Sequence, residues 1–414
     1  MKALIISYAF TPNREVGGRR WTKFSTYLLK KNIDFKVITF AQKTNGNNQG
    51  KLEKLEQNII RLKSKYPKVL GTNPKSIYAK LSYRINLFLY KLKAKGNYYD
   101  KTATDKKTFL TAVKNELDSN TYTHLIVSVA PFKLAFYLTE IKDAYPNIEF
   151  IVDFRDPWVT NRTSYGIESM NHSRFQYEVQ AEEIVIDKFD KIITVANQIS
   201  KDLMKSEKQK SKFYVLPNGF DTDEIENQIL SRPNSQKLQL IFAGTFYNNS
   251  IIVTENLESL LKTLKKDFPE IYNALSFEFY GSKSNYIDEL SKKYDIIQNN
   301  KPLPIAEIHE KINLSTAGLL FLSDDITYSL STKFCEYVAF KKPIVVFSKW
   351  GDTARYIEDN RIGYWVDANN MLPGIKKLYN EWKNESLSFN PSFNINQFDI
   401  NHLTEKLLEI MRES

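Results

Sequence analysis

The chain has 414 residues, 42% of them hydrophobic and 26% charged, so it can form two or three globular domains and is not disordered, collagen-like or fibrous. Its one cysteine, Cys335, excludes an internal disulfide framework, and its four histidines lack the spacing of metal ligands. The formal net charge of +10 favours anionic partners: nucleic acid, phosphorylated ligands or an anionic membrane surface.

Short apolar runs rich in β-branched residues recur through the first half of the chain and predict strands. Several are continuously apolar, as expected for strands covered on both faces. The predicted strands are 3–8, 35–40, 125–129, 150–154, 192–195 and 213–216, and the predicted helices are 21–31, 106–117, 132–145 and 177–189. This alternation predicts a doubly wound α/β domain with a mostly parallel sheet.

The same alternation begins again in the second half. The predicted strands are 238–242, 277–280, 295–297, 317–322, 343–347 and 364–366, and the predicted helices are 254–266, 286–293, 305–312, 332–340, 353–358 and 371–382. Two such sheets in tandem predict two Rossmann-like domains facing a cleft. The join is expected near 216–221, where Pro217 and Asn218-Gly219 break regular structure. Residues 402–411 read as an amphipathic helix.

Residues 61–107 interrupt the first sheet and carry thirteen lysines and arginines against two acids, Asp100 and Asp105. Large apolar residues recur between positions 77 and 92 at helical spacing. Such a helix can lie in an anionic membrane interface, or it can pack on its own domain with a solvated lysine face. The N-terminal apolar run is too short for a signal peptide and no 18-residue apolar stretch occurs, so we expect a cytoplasmic protein without a membrane span.

The first candidate ligand site is the loop 12–19, which contains Gly17 and Gly18 between the first strand and the first helix. Glycines let backbone N–H groups approach a ligand closely, and a helix N-terminus favours negative charge. The spacing matches neither a dinucleotide-binding fingerprint nor a phosphate-binding P-loop. A plain strand–helix turn is the alternative.

The second candidate is the segment 153–158, at the carboxyl end of a predicted strand, where ligands of open α/β sheets bind. Asp153, Arg155 and Asp156 could orient a polyhydroxylated substrate, because carboxylate and guanidinium groups make directional hydrogen bonds to hydroxyls. The alternative is a structural Asp–Arg pair that closes the loop.

The third candidate is the segment 330–346. Ser331 or Thr332 can cap a helix there, and exposed N–H groups, hydroxyls and Lys333 would suit a diphosphate. Glu336 lies one turn inside on the same face, where its carboxylate could hold two ribose hydroxyls. An ordinary Lys–Glu helix pair is the alternative, although Lys ahead of Glu is the less favourable order.

Together with the 216–221 join and residues 242–246, which open the second sheet, these segments span nearly the whole chain. In their types and their order the chain resembles glycosyltransferase family 4 (the group 1 type), which has the GT-B fold. The resemblance implies an acceptor-binding domain at 1–216 and a donor-binding domain at 217–395. It also implies a C-terminal helix, 396–414, that crosses back to the first domain.

The resemblance further assigns roles. Glu336 would hold the donor ribose, Ser331, Thr332 and Lys333 would lie near the diphosphate, and Gly17 and Gly18 would approach it from across the cleft. The other implied donor-binding residues are Gly244, Thr245, Leu303 and Ile305, the last two beside the base. The implied catalytic residues are Asp153, Arg155 and Asp156. No metal and no cofactor beyond the nucleotide-sugar co-substrate are implied, since helix dipoles and cations can stabilise the leaving diphosphate.

The chain departs from the family pattern at three places. Tyr328 stands where the first of two paired glutamates is usual, with Asp324 and Asp325 nearby but out of register. Residues 244–249 carry no cation, and Arg155 stands about where a histidine is frequent.

The resulting prediction is a hexosyltransferase-type glycosyltransferase that moves a sugar from a nucleotide diphosphate sugar to a glycan or lipid-linked acceptor. Surface polysaccharide or lipopolysaccharide synthesis, retention of configuration and a peripheral membrane contact through 61–107 are expected. A nucleotide-sugar epimerase of the same fold is the alternative. A basic nucleic-acid-binding protein is less favoured, because no recognition-helix, RNA-binding or zinc signature appears.

Overall fold

A computed structural model describes residues 1–11, 16–42, 53–72, 74–161, 165–225, 236–244, 246, 251–281 and 284–413. The chain divides into two compact units. Unit 1 comprises residues 1–217 and 404–414, and unit 2 comprises residues 218–403.

Unit 1 is built on a parallel sheet that has seven strands among the described residues, in the order β3-β2-β1-β4-β5-β6-β7. The strands are β1 (Lys2–Ser7), β2 (Asp34–Thr39), β3 (Ile59–Arg61), β4 (His124–Val129), β5 (Glu149–Phe154), β6 (Lys191–Thr194) and β7 (Phe213–Val215). The helices are α1 (Val16–Lys30), α2 (Glu53–Glu56), α3 (Ile77–Lys93), α4 (Lys106–Ser119), α5 (Lys133–Leu138), α6 (His172–Lys188) and α7 (Asn197–Leu203).

The core of unit 1 lies around its central strands. Strand β1 pairs with β2 and β4, and its apolar side chains are buried on both faces. Helix α1 covers this sheet with Trp21, Phe24 and Leu28, all fully buried. Their spacing of three and four residues places them on one face of the helix.

Unit 2 repeats the plan with a parallel sheet in the order β10-β9-β8-β11-β12-β13. The strands are β8 (Leu238–Ala243), β9 (Leu275–Tyr280), β10 (Ile297–Asn300), β11 (Ala317–Phe321), β12 (Ile344–Ser348) and β13 (Gly363–Asp367). The helices are α8 (Thr222–Ile225), α9 (Ile251–Asp267), α10 (Pro269–Ala274), α11 (Asn285–Lys293), α12 (Ile305–Leu314), α13 (Thr332–Ala339), α14 (Asp352–Asp359) and α15 (Met371–Lys383). Two doubly wound, Rossmann-like units confirm the predicted fold class.

The C-terminal helix α16 (Ile400–Arg412) begins in unit 2 and ends in unit 1. Its last carbonyls are bound by side chains of unit 1: Lys191 Nζ donates to the Ile410 oxygen (2.7 Å), and His124 Nε2 lies 2.7 Å from the Met411 oxygen. Cationic and N–H donors at a helix C-terminus satisfy carbonyls that lack an intrahelical partner. These bonds attach the end of the chain to the first sheet.

Two predicted elements differ from the structure, and one strand of the structure was not predicted. The helix predicted at 132–145 is α5 followed by a short 3-10 turn, Lys142–Ala144. The Thr139 hydroxyl donates to the Phe136 carbonyl (2.7 Å) at the point where α5 ends, a local bond that competes with helix continuation. Strand β10 lies later than predicted, and β3 was not predicted. Both are short edge strands: β3 has only three residues and β10 is mostly polar, so neither has the long apolar run of a central strand.

Candidate functional site

In unit 2 the carboxyl end of β8 meets the start of helix α13. The Tyr337 hydroxyl donates to the Ile241 carbonyl (3.0 Å) and accepts from the Ala243 N–H (3.3 Å). A Cβ at Gly318 would lie 2.3 Å from the Tyr337 ring, so only glycine leaves room for that ring. These contacts hold α13 at the end of β8 where ligands of parallel α/β sheets bind.

Lys333, in the first turn of α13, places its ammonium group at this end of β8. Its ammonium lies 5.2 Å from the Phe242 ring centre, and a Cβ at Gly244 would lie 2.9 Å from its Nζ. Gly244 itself has a φ of +143°, which only glycine adopts readily. No carboxylate of the described residues lies within 4 Å of the Lys333 ammonium. Burial lowers the pKa of Lys333, and the negative charge of Glu336 offsets part of this effect.

Ser331 caps helix α13, since its side chain accepts a hydrogen bond from the Phe334 N–H (3.4 Å). The loop before the cap is held by Asn218, whose side chain donates to the Leu330 carbonyl (3.3 Å). The Cys335 thiol in turn donates to the Asn218 carbonyl (3.2 Å). These hydrogen bonds fix the turn before α13. The first N–H groups of the helix, including that of Thr332, lack intrahelical partners and can bind an anion.

Glu336 lies one turn inside α13, mostly buried, and its Oε1 is 4.0 Å from His309 Nε2. His309 belongs to α12 and packs on Phe340 with ring centres 5.4 Å apart. Helix α12 starts at Ile305, which is exposed, and Leu303 just before it is half-buried. The segment predicted to lie beside the base thus leads directly into α12, the helix whose His309 lies near Glu336.

His309 is a site residue that sequence reasoning missed. It is buried, and neither ring nitrogen has a hydrogen-bond partner among the described residues. Native structures rarely leave buried polar atoms without partners, so such a group beside Glu336 marks a site that a ligand or water completes. The sequence offered one indication: His309 stands three residues before the apolar Ile312, and this spacing places both side chains on the buried face of α12.

We expect His309→Leu to weaken nucleotide binding roughly 5- to 10-fold, as one lost hydrogen bond would, while leaving folding intact. Folding should survive because the replacement removes a buried polar group that makes no hydrogen bond within the described residues. Thermal melting with and without nucleotide measures both effects. Unchanged nucleotide binding would exclude a role for His309.

In unit 1 the structure brings Gly17 and Arg155 together. A Cβ at Gly17 would lie 2.5 Å from Arg155 Nη1, and a Cβ at Gly18 would lie 3.1 Å from the Ala9–Phe10 backbone. Arg155 is oriented by the backbone, donating to the carbonyls of Val129 (3.1 Å) and Ala130 (2.7 Å). A guanidinium group at the N-terminus of α1 forms a second place suited to negative charge.

Asp153 lies inside unit 1, where other side chains bind its carboxylate. It is fully buried and accepts hydrogen bonds from Arg20 Nε and Nη2 (both 3.2 Å), Trp21 Nε1 (2.7 Å) and Ser128 Oγ (3.2 Å). Arg20 also donates to the carbonyls of Leu216 (2.8 Å) and Pro217 (2.7 Å). A carboxylate with these internal donors fits the alternative of a structural Asp–Arg pair, with Arg20 and not Arg155 as the partner.

The remaining residues singled out in the sequence lie as follows. Asp156 is partly exposed, and its carboxylate accepts a hydrogen bond from the Tyr165 hydroxyl (2.8 Å), so it can still face a ligand. Asp324 pairs with Lys349 (3.0 Å). Thr245 and the loop residues 12–15 lie outside the described residues.

No protein-family model and no curated protein sequence matches the chain. Solved structures do match it over its length. OtsA in its apo form is 12% identical, with a TM-score of 0.63, and the match covers 100% of both chains. Sucrose-phosphate synthase from Thermosynechococcus elongatus is 10% identical, with a TM-score of 0.66, over 100% of this chain and 98% of the other.

A third similar structure is Anabaena Alr3699/HepE in complex with UDP and glucose. It is 11% identical, with a TM-score of 0.61, and the match covers 99% of this chain and 98% of the other. Identities this low bear on the fold alone. Together with the two parallel sheets, these structural matches show that the chain has the GT-B fold.

Proposed function

We propose that the protein is a nucleotide-sugar-dependent glycosyltransferase of the hexosyltransferase type, similar to glycosyltransferase family 4. Unit 2 would bind the donor and unit 1 the acceptor. The observation that carries the proposal is Lys333: a half-buried ammonium with no carboxylate of the described residues within 4 Å, placed between Gly244 and the capped start of α13. A cation without a carboxylate partner, beside the N–H groups that begin a helix, suits an anionic ligand.

The chemistry follows from these groups. Lys333 and the first N–H groups of α13 would stabilise the charge that develops on the leaving diphosphate, so the transfer would need no metal and no further cofactor. Glu336 would accept hydrogen bonds from the two ribose hydroxyls of the donor. Arg155, oriented by two carbonyls beside Gly17, and the partly exposed Asp156 are the remaining candidates for contact with the reacting groups.

The finer parts of the proposal concern the acceptor. We propose a glycan or lipid-linked acceptor, as in surface polysaccharide synthesis, and transfer with retention of configuration. We also propose that residues 61–107 contact an anionic membrane surface from the cytoplasmic side. The UDP and glucose in the HepE structure support a nucleotide-sugar donor for a chain of this fold.

A panel of UDP, GDP, ADP and CMP in thermal-shift measurements tests the donor site. One nucleotide should stabilise the protein, by roughly 2.7 kcal/mol at a hundred times its dissociation constant. Glu336→Gln should weaken that nucleotide about 10- to 100-fold, because hydrogen bonds to a charged group are lost. Glu310→Gln, which changes an exposed carboxylate of α12, is the matched control and should bind normally.

Product analysis then separates transfer from epimerisation. Incubation with the nucleotide sugar alone should leave its sugar configuration unchanged, and added acceptor should yield nucleoside diphosphate. An epimerised nucleotide sugar formed without any acceptor would replace the proposed activity by the alternative. Stabilisation by none of the four nucleotides would remove the proposal's basis.

A further inference from the structure

Helix α3 exposes a continuous apolar surface. Seven large apolar or aromatic side chains of this helix are between 47% and 86% exposed. At 100° per residue they fall within an arc of about 120° on the helix surface. We call this surface the α3 apolar face, formed by Ile77, Tyr78, Leu81, Ile85, Phe88, Leu89 and Leu92. Exposed apolar patches of this kind mark interaction sites.

The opposite side of α3 is firmly attached to unit 1. Tyr90 is buried, packs edge-on against Tyr66 with ring centres 5.2 Å apart, and donates through its hydroxyl to the Asp100 carbonyl (2.9 Å). The Arg174 guanidinium of α6 binds the carbonyls at the end of the helix, those of Lys91 (2.6 Å), Ala94 (2.8 Å) and Gly96 (2.6 Å). The apolar face is therefore presented by a helix with a fixed orientation.

The charge around this face has one sign. Helix α3 itself carries four basic residues, Lys80, Arg84, Lys91 and Lys93, and no acid. The two acids of the segment 61–107 are both buried. Asp105 accepts hydrogen bonds from the Ser64 hydroxyl and the Lys65 N–H, and Asp100 from Thr102 and Lys133. The exposed charge of this segment is thus positive, which fits an anionic partner.

A pocket of about 480 Å³ opens along one edge of the α3 apolar face. Its lining includes Lys65, Asn86, Leu89, Lys93 and Thr104, so it shares Leu89 with that face. Both lysines are exposed, and within the described residues neither forms an ion pair. Two ammonium groups with an amide and a hydroxyl suit a phosphate group, and the adjoining apolar surface suits the hydrocarbon chains attached to it.

We infer that α3 docks on a bilayer of anionic phospholipid, with the α3 apolar face in the interface and a lipid headgroup phosphate in this pocket. A second copy of the chain is a poorer occupant, because pairing the two faces would bring two basic segments together. Among the described residues no helix is long and apolar enough to cross a membrane. The inference deepens the membrane contact of the proposed function, but it does not depend on the donor site.

Vesicle co-sedimentation of the full chain tests the inference. Binding should be strong to vesicles of phosphatidylcholine with phosphatidylglycerol, weak to phosphatidylcholine alone, and reduced by salt. Leu81→Ser with Phe88→Ser should reduce binding at least tenfold, since two large apolar side chains no longer enter the interface. Ile184→Ser, which changes an exposed apolar residue of α6, is the matched control and should bind like the wild type.

Two double substitutions test the role of the pocket. Lys65→Ala with Lys93→Ala should weaken binding roughly 30-fold, at about fivefold for each lysine near an anionic surface. Lys262→Ala with Lys266→Ala removes the same charge from exposed positions of α9 in unit 2 and should cost less than about threefold. Soluble glycerol phosphate should not displace the protein from vesicles, because it lacks the hydrocarbon chains.

Three results would overturn the inference: equal binding to neutral and anionic vesicles, normal binding by the α3 variant, or equal losses from the two lysine pairs. A dimer in analytical ultracentrifugation that Leu81→Ser with Phe88→Ser dissolves would assign the face to a second copy instead. The nucleotide thermal shift of each variant separates this test from that of the proposed function. It should remain as in the wild type, whatever the vesicles show.

Discussion

Lys333→Met is expected to abolish measurable donor binding and at the same time to make the free protein more stable. Methionine keeps the length and helix propensity of lysine but cannot pair with a diphosphate. Loss of one partner of a buried, hydrogen-bonded charge pair costs about 2–5 kcal/mol, or roughly 30-fold to several thousand-fold in affinity. The free protein gains because the cost of desolvating the ammonium disappears.

The pH dependence of stability provides a second readout for the same variant. Burial lowers the pKa of Lys333 from 10.5, so between the folded and unfolded pKa values the unfolded chain binds more protons. The penalty is complete below the folded-state pKa and absent above the unfolded one, so this lysine makes stability rise with pH through that window. When the free energy of unfolding is measured with urea from neutral to alkaline pH, Lys333→Met should not show this rise.

Lys311→Met, at an exposed lysine of α12, is the matched control and should change neither nucleotide binding nor the pH dependence. A Lys333→Met protein that binds nucleotide normally would show that no anion uses this ammonium. A destabilised variant would show instead that the lysine has a structural role, with its charge stabilised by the surrounding unit.

Asp153→Ala is expected to destabilise unit 1 by about 3–5 kcal/mol, because Arg20 would be left as a buried charge without its carboxylate. The loss should extend to Trp21 and Ser128, whose side chains donate to the same carboxylate. Thermal melting of the purified variant measures the effect. If the alanine variant does not fold, Asp153→Asn, which keeps an acceptor for Trp21, should fold with a smaller loss.

Asp156→Ala on the same loop is the matched control for Asp153. Its carboxylate is partly exposed and accepts a hydrogen bond from the Tyr165 hydroxyl, so its replacement should change stability by about 1 kcal/mol or less. Sugar transfer should fall in this variant if Asp156 contacts the reacting groups. Full stability in Asp153→Ala would contradict the structural role given to that residue.

The sequence alone determined the architecture, because continuous apolar runs separated by helical periodicity leave few alternatives to parallel sheets covered by helices. It also singled out Lys333 and Glu336, since a capping residue, a cation and an acid at helical spacing are local features. The edge strand β10 was predicted too early in the chain, because its position depends on pairing with β9 and not on its own polar side chains.

Only the tertiary structure decided what each polar residue contacts. Asp153 and Asp156 stand three positions apart with the same side chain, yet one is buried against Arg20, 133 residues away in sequence, and the other faces outward. His309 gains its place beside Glu336 from the packing of two helices. The α3 apolar face likewise has a spacing that any amphipathic helix shares. Whether such a face lies in the core or in solvent depends on which long-range contacts the helix makes, and local periodicity carries no information about those contacts.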